Sequence, residues 1–111
     1  MKGTHLGEFE ELVLLTTAVV DGNAYTVSIV EEIDKNTGRK LTLSSVHTAL
    51  VRLEKKAFVT SYMGGTIKER GGRRRRLYKI TASGYAALNK ARETRIKMWD
   101  MIPNLSFDFS G

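Results

Sequence analysis

The sequence contains no cysteine, which excludes a disulfide framework, a Cys-ligated zinc site and thiol chemistry. It also lacks a long apolar run: residues 12–15 and 18–20 form the longest ones, far short of the roughly 18 residues that span a membrane. The N-terminal residues lead into Glu8, Glu10 and Glu11, so no signal peptide is predicted. With 111 residues, 41% of them hydrophobic and 27% charged, the chain is expected to be one soluble cytoplasmic domain.

The net charge of +6 is unevenly distributed. Residues 1–38 carry two basic and seven acidic side chains, whereas residues 39–79 carry twelve basic and two acidic ones. Residues 80–111 are nearly neutral, with four basic and three acidic side chains. A basic segment within an otherwise acidic or neutral chain predicts a polyanionic partner, the alternative being a solvated surface of lysine and arginine.

Apolar residues at intervals of three and four predict three helices in the first half of the chain. They cover about residues 6–20, 26–36 and 44–56, and Ser44 is expected to be the N-cap of the third. The buried stripe of that third helix is formed by Val46, Ala49, Leu50 and Leu53.

The periodicity then changes to that of strands. Residues 58–63 and 77–81 are rich in β-branched and aromatic side chains, and a basic loop with glycines, residues 64–76, joins them into a hairpin. A last helix is predicted over about residues 83–102, closed by Pro103.

Three helices, a hairpin and a further helix are the element order of a winged helix-turn-helix domain. The predicted fold class is therefore mainly α (α+β): a winged helix-turn-helix with a two-stranded wing, followed by a long C-terminal helix. Residues 1–82 would form the DNA-binding domain, and residues 83–111 the dimerisation helix and tail. The charge map agrees, because the basic segment holds the third helix and the wing.

Several segments in colinear order also resemble the PadR-type transcriptional regulators. They are residues 6–15, Asn23-Ala24-Tyr25, Val46 to Glu54, Glu69-Arg70-Gly71-Gly72-Arg73, Leu77 to Thr81, and Gly84. Departures from the family pattern are Thr26 and Ala57, where glycine is common, and Leu77, where an aromatic residue is frequent. The resemblance implies a cytoplasmic prokaryotic repressor, of the short form with a single C-terminal dimerisation helix, that binds an inverted repeat as a homodimer.

Candidate DNA-binding residues lie on the outer face of the third helix and on the wing. Small polar side chains near the N-terminal end of a recognition helix can reach base edges, and arginine can reach guanine or phosphate. The recognition-helix candidates are Ser44, Ser45, His47, Thr48 and Arg52. The wing and backbone candidates are Tyr25, Lys68, Arg70, Arg73, Arg74, Arg75, Arg76 and Lys79.

Two of these assignments leave alternatives open. Strand alternation puts Arg74 and Arg76 on one side of the hairpin and Arg73 and Arg75 on the other, so which pair meets DNA is undecided. Tyr25 either donates its hydroxyl to a phosphate or packs its ring against the hairpin.

An apolar stripe on the last helix predicts pairing with a second copy of the chain. Its residues are Leu88, Ala91, Met98, Trp99, Ile102 and Leu105. A hydrophobic small-molecule effector near Trp99 is the alternative occupant.

No catalytic site, metal site or cofactor is predicted. The sequence shows no paired acidic site, metal-ligand spacing or nucleophile–base pair, so the chain is expected not to be an enzyme. The expected partners are double-stranded DNA and a second copy of the chain, with no membrane. The rival function is a winged helix that binds RNA or protein.

Overall fold

The computed structural model describes residues 5–67 and 73–107. The elements are α1 (Glu8–Val19), α2 (Thr26–Thr37), α3 (Leu43–Lys55), β1 (Val59–Ile67), β2 (Arg73–Ile80) and α4 (Ala82–Met101). This order confirms the predicted winged helix-turn-helix. No helix in the described part of the chain is long and apolar enough to span a membrane.

The start of α3 differs from the prediction. Thr42, not Ser44, is the N-cap: its Oγ1 accepts a hydrogen bond from the Ser45 N–H at 3.1 Å, so the helix begins at Leu43. Leu41 packs against the core just before the cap. Ser44 therefore lies in the first turn with its side chain exposed.

The core lies between the first three helices and the base of the hairpin. The four predicted inner residues of α3 are all buried, together with Val13 and Leu14 of α1 and Ile29 and Ile33 of α2. Phe58, Val59 and Tyr78 close the core from the hairpin side.

The wing is longer than predicted. Strands β1 and β2 pair in antiparallel fashion from Val59↔Ile80 to Ile67↔Arg73, so the arginine run begins β2 instead of lying in the loop. A bulge interrupts the register, because Gly64 and Gly65 together lie opposite Arg75. At Gly64, a Cβ atom would lie 2.5 Å from Leu77 Cδ1, so a larger residue there would displace the end of the Leu77 side chain.

The Thr81-x-x-Gly84 segment starts α4 against the core. Thr81 Oγ1 accepts from the Gly84 N–H at 3.0 Å, and a Cβ on Gly84 would lie only 2.2 Å from the Phe58 carbonyl oxygen. Near this end α4 contacts α1, and Leu88 joins the core. From Arg92 onward every described residue of the chain is exposed.

A strained residue ends α3. Ala57 has φ 64°, in the left-handed region that favours glycine. Its N–H donates to the Glu54 carbonyl and the Phe58 N–H to the Leu53 carbonyl, both at 2.9 Å, which is the hydrogen-bond pattern of a Schellman motif.

We predict that Ala57→Gly stabilises the protein. Relief of left-handed strain is worth about 1–2 kcal/mol, and the greater freedom of glycine in the unfolded chain offsets roughly 0.5–1 kcal/mol of it. The midpoint of thermal unfolding should rise by a few degrees. Ala86→Gly, the same substitution on an exposed helical position of α4, should lower it. A fall in both variants would contradict the strain at Ala57.

Candidate nucleic-acid interface

The exposed face of α3 has two flanks, each bordering a different groove. Leu43, Ser44 and His47 lie on one flank, toward β2. Ser45, Thr48 and Arg52 lie on the other flank, toward the start of α1.

The first groove, of about 570 Å³, lies between α3, the start of α2 and the wing. It brings together side chains from three elements that are distant in sequence. Its lining consists of Tyr25, Thr26, Val27, Leu43, Ser44, His47, Arg74, Arg75, Arg76 and Tyr78. We call it the wing groove. Three arginines along one wall make this wall cationic, which is the electrostatic requirement for binding a phosphate backbone.

Each of these three arginines is oriented by a different partner. The Arg75 guanidinium lies over the Tyr25 ring, 4.1 Å from its centroid, in a cation–π contact. Arg74 Nε donates to the Gly64 carbonyl oxygen at 3.1 Å. Side chains that are held in place before binding lose less conformational freedom when they bind.

Arg76 is linked to the far end of α3. Its Nη1 donates to Ser61 Oγ at 2.9 Å, and that hydroxyl donates to Glu54 Oε2 at 2.8 Å. This chain of hydrogen bonds ties the wing to the helix that it flanks.

Tyr25 is fixed at the start of α2 by Ser28. The Tyr25 N–H donates to Ser28 Oγ at 3.0 Å, and that hydroxyl donates to the Asn23 carbonyl at 2.6 Å. The half-buried Tyr25 ring contacts Arg75 of the hairpin. This contact corresponds to the second of the two alternatives for Tyr25, in which its ring packs against the hairpin.

Tyr78 forms the base of the wing groove. Burial raises the pKa of its hydroxyl above 10; the Arg76 charge opposes this shift and Glu54 adds to it. The Tyr78 side chain is therefore neutral at physiological pH, and the positive charge of the groove comes from the arginines.

The second groove is different in charge. Glu8 and Glu10 of α1 line it together with Thr48 and Arg52. Lys56 Nζ pairs with Glu10 Oε1 at 2.6 Å, with only 19% and 14% of the two side chains exposed, and this pair joins α1 to the end of α3. Glu8 is likewise paired, with 3.1 Å between its Oε2 and Arg39 Nη1. The carboxylates of this groove are therefore compensated by cations, and Arg52 adds a further positive charge.

The structure thus gathers only some of the predicted DNA-binding residues into the wing groove: Tyr25, Ser44, His47, Arg74, Arg75 and Arg76. Lys79 turns toward Asp21, with 3.4 Å between Nζ and Oδ1. Lys68 and Arg70 lie outside the described residues, and Arg73 is the first residue of β2.

Sequence reasoning missed Thr26, Val27 and Leu43 as groove residues. The signal for Leu43 is Thr42, because an N-cap at Thr42 makes Leu43 the first residue of α3. The two histidines border different grooves, and no three His, Asp or Glu side chains in the described ranges cluster as metal ligands would.

The predicted apolar stripe of α4 divides into two parts. Leu88, only 8% exposed, belongs to the core of its own chain. It is therefore not available for contact with a second copy, contrary to the prediction. Ala91 is half-buried, whereas Met98, Trp99, Ile102 and Leu105 are exposed, and Trp99 reaches 72%. Outside the predicted stripe, Leu15 and Val19 of α1 and Tyr85 and Met101 of α4 are also exposed.

Solved structures share this fold. A PadR-like transcription factor from Bacteroides fragilis is similar at a TM-score of 0.73 and 16% identity, covering 88% of this chain and 89% of that one. A PadR-like transcriptional regulator from Bacillus cereus has a TM-score of 0.69 at 17% identity, covering 86% and 88%. A PadR family transcription regulator from Clostridium difficile has a TM-score of 0.61 at 24% identity, covering 82% and 93%.

A comparison with curated protein sequences finds no match. The sequence model of the transcriptional regulator PadR-like family, however, matches residues 14–90, which is more than half of the chain. Those residues include α2, α3 and the wing, which are the elements that build the wing groove, and the start of α4. The chain belongs to the PadR-like family of transcriptional regulators.

Proposed function

We propose that the protein is a homodimeric, sequence-specific DNA-binding repressor that binds an inverted repeat. The observation that carries this proposal is the wing groove, in which exposed polar residues of α3 lie beside three oriented arginines. Membership of a family of transcriptional regulators supports it.

The geometry fits the usual docking of this fold. The exposed face of α3 enters the major groove, where Ser44 and His47 reach base edges, and the wing arginines contact the phosphate backbone or the adjacent minor groove. Ser45, Thr48 and Arg52 remain predicted contacts on the opposite flank of α3. Repression follows when the bound protein occludes a promoter, and the protein acts in the cytoplasm, where a prokaryotic chromosome lies.

A second copy of the chain is the partner that best accounts for the end of α4. Beyond Ala91 the residues of α4 are exposed, among them Met98, Trp99 and Ile102, although an ion pair of 3.2 Å ties Arg95 to Glu11 of α1. Exposed apolar surface of this kind is stabilised by burial, and pairing of identical surfaces about a two-fold axis buries it on both copies. Two recognition helices would then lie about one DNA turn, roughly 34 Å, apart.

A hydrophobic effector between the paired α4 helices stays a prediction. The exposed Trp99 ring supports it, because a flat aromatic surface can stack on a flat ligand. Pairing of the helices explains the same exposure without a ligand, so the dimer is the first proposal.

Selection from random duplex DNA tests the proposed function. The purified protein should enrich an inverted repeat at near-physiological salt, with half-site centres about ten base pairs apart. Binding without sequence enrichment would contradict a sequence-specific regulator and favour the RNA- or protein-binding alternative.

We predict that Arg74→Ala with Arg76→Ala weakens binding to all DNA sequences. The slope of log affinity against log salt should become shallower by about one for each phosphate that the variant no longer neutralises, because fewer counterions are released. Titrations over a range of salt concentrations measure this slope. The charge-matched control is Lys35→Ala with Lys90→Ala, whose side chains do not line the wing groove. An unchanged slope in the arginine variant would contradict the wing assignment.

We predict that Trp99→Asp separates the dimer into folded monomers. Trp99 is 72% exposed in the single chain, so the substitution leaves the core intact, while an unpaired carboxylate in an apolar interface is costly. Sedimentation equilibrium measures the mass. Lys97→Asp places the same carboxylate on the opposite side of α4 and should remain dimeric. A dimeric Trp99→Asp variant would place the interface elsewhere.

A further inference from the structure

Leu43 is exposed for no reason that the fold supplies. It is the first residue of α3 and its exposure is 52%. The neighbouring Leu41 already packs against the core at this end of the helix, and Thr42 provides the cap. The start of α3 is therefore packed and capped without the Leu43 side chain, which lies in the wing groove.

The surroundings of Leu43 are those of a DNA-binding surface. Arginines from β2 line one wall of the groove, and Ser44 and His47 lie on the same flank of α3 as Leu43. Val27 adds a half-buried apolar side chain to the same groove. Apolar side chains beside cations and hydrogen-bonding groups favour a polyanion that also offers a small apolar group.

Duplex DNA offers one such group in the major groove. Of the groups on the base edges there, only the C5-methyl of thymine is apolar, the others being hydrogen-bond donors and acceptors. Side chains of an α-helix point toward its N-terminus. Leu43 is the first residue of α3, so its side chain extends beyond the N-terminal end of the helix. In the proposed complex, this end of α3 enters the DNA major groove first.

We propose that Leu43 determines specificity by contacting a thymine methyl in each half-site. This inference rests on the proposed DNA-binding function and adds the base that the first turn of α3 selects. Ser44 and His47 contact neighbouring base edges through hydrogen bonds, whereas Leu43 discriminates by apolar contact alone.

The test compares selection from two random duplex pools, one made with dTTP and one with dUTP. Uracil lacks only the C5-methyl of thymine, so base pairing is retained. For the wild-type protein, one thymine in each half-site of the enriched repeat should lose its preference in the uracil pool. Replacing that single thymine by uracil in the selected duplex should weaken binding about fourfold per half-site, the value of one buried methyl group.

Leu43→Ala is the matched variant, because alanine forms helix well and the position is half exposed. It should bind the thymine and uracil duplexes with equal affinity. Comparing the thymine–uracil difference between the two proteins then cancels any effect that uracil has on the DNA itself. Leu43→Met, which keeps an apolar side chain of similar size, should restore the difference. Circular dichroism confirms that both variants fold.

The outcomes separate the inference from the proposed function. An enriched repeat with equal affinity for thymine and uracil at every position would overturn the role of Leu43 and leave the proposed function standing. Equal thymine preference in wild type and Leu43→Ala would also overturn it, since another residue would then read the methyl. No enrichment from either pool would overturn both.

Discussion

The attachment of the wing to the core is the constraint on which the interface depends. The Tyr78 N–H donates to the Ala24 carbonyl oxygen at 2.8 Å, and the Tyr78 ring is buried. This hydrogen bond holds β2 beside Ala24, the residue that precedes Tyr25, and so sets the direction in which β2 leaves the core. Arg75 is thereby brought over the Tyr25 ring, and the wall of arginines faces α3. This attachment thus places the charge of the arginine run beside α3.

The two flanks of α3 differ in the way their charges are arranged. The wing flank presents arginines, of which Arg75 is held by the Tyr25 ring and Arg74 by the Gly64 carbonyl oxygen. On the α1 flank the carboxylates are paired with cations, Glu8 with Arg39 and Glu10 with Lys56, and Arg52 lines the same groove. We therefore expect a phosphate backbone to lie against the wing flank, where the arginines are concentrated.

The order of elements and the inner face of α3 were predictable from the sequence, because the spacing of apolar residues reflects which side of each element is buried. Details that depend on single hydrogen bonds were not predictable. Thr42 and Ser44 are both good N-cap residues, and only the geometry shows which hydroxyl accepts from the Ser45 N–H. The arginine run resembles a loop because it is polar, although a bulge at Gly64 lets the strands pair through it. Leu88 fitted the apolar stripe of α4, but the helix contacts the core near that residue and buries it.

The wing groove is the proposed site of DNA binding. An NMR titration of backbone amides with the duplex obtained by selection would show where the DNA binds. We expect the largest chemical-shift changes at residues 43–47, at Tyr25 and at residues 74–76, with smaller changes in the first turn of α1. The largest changes on α1 or along α4, with the wing groove unchanged, would contradict it.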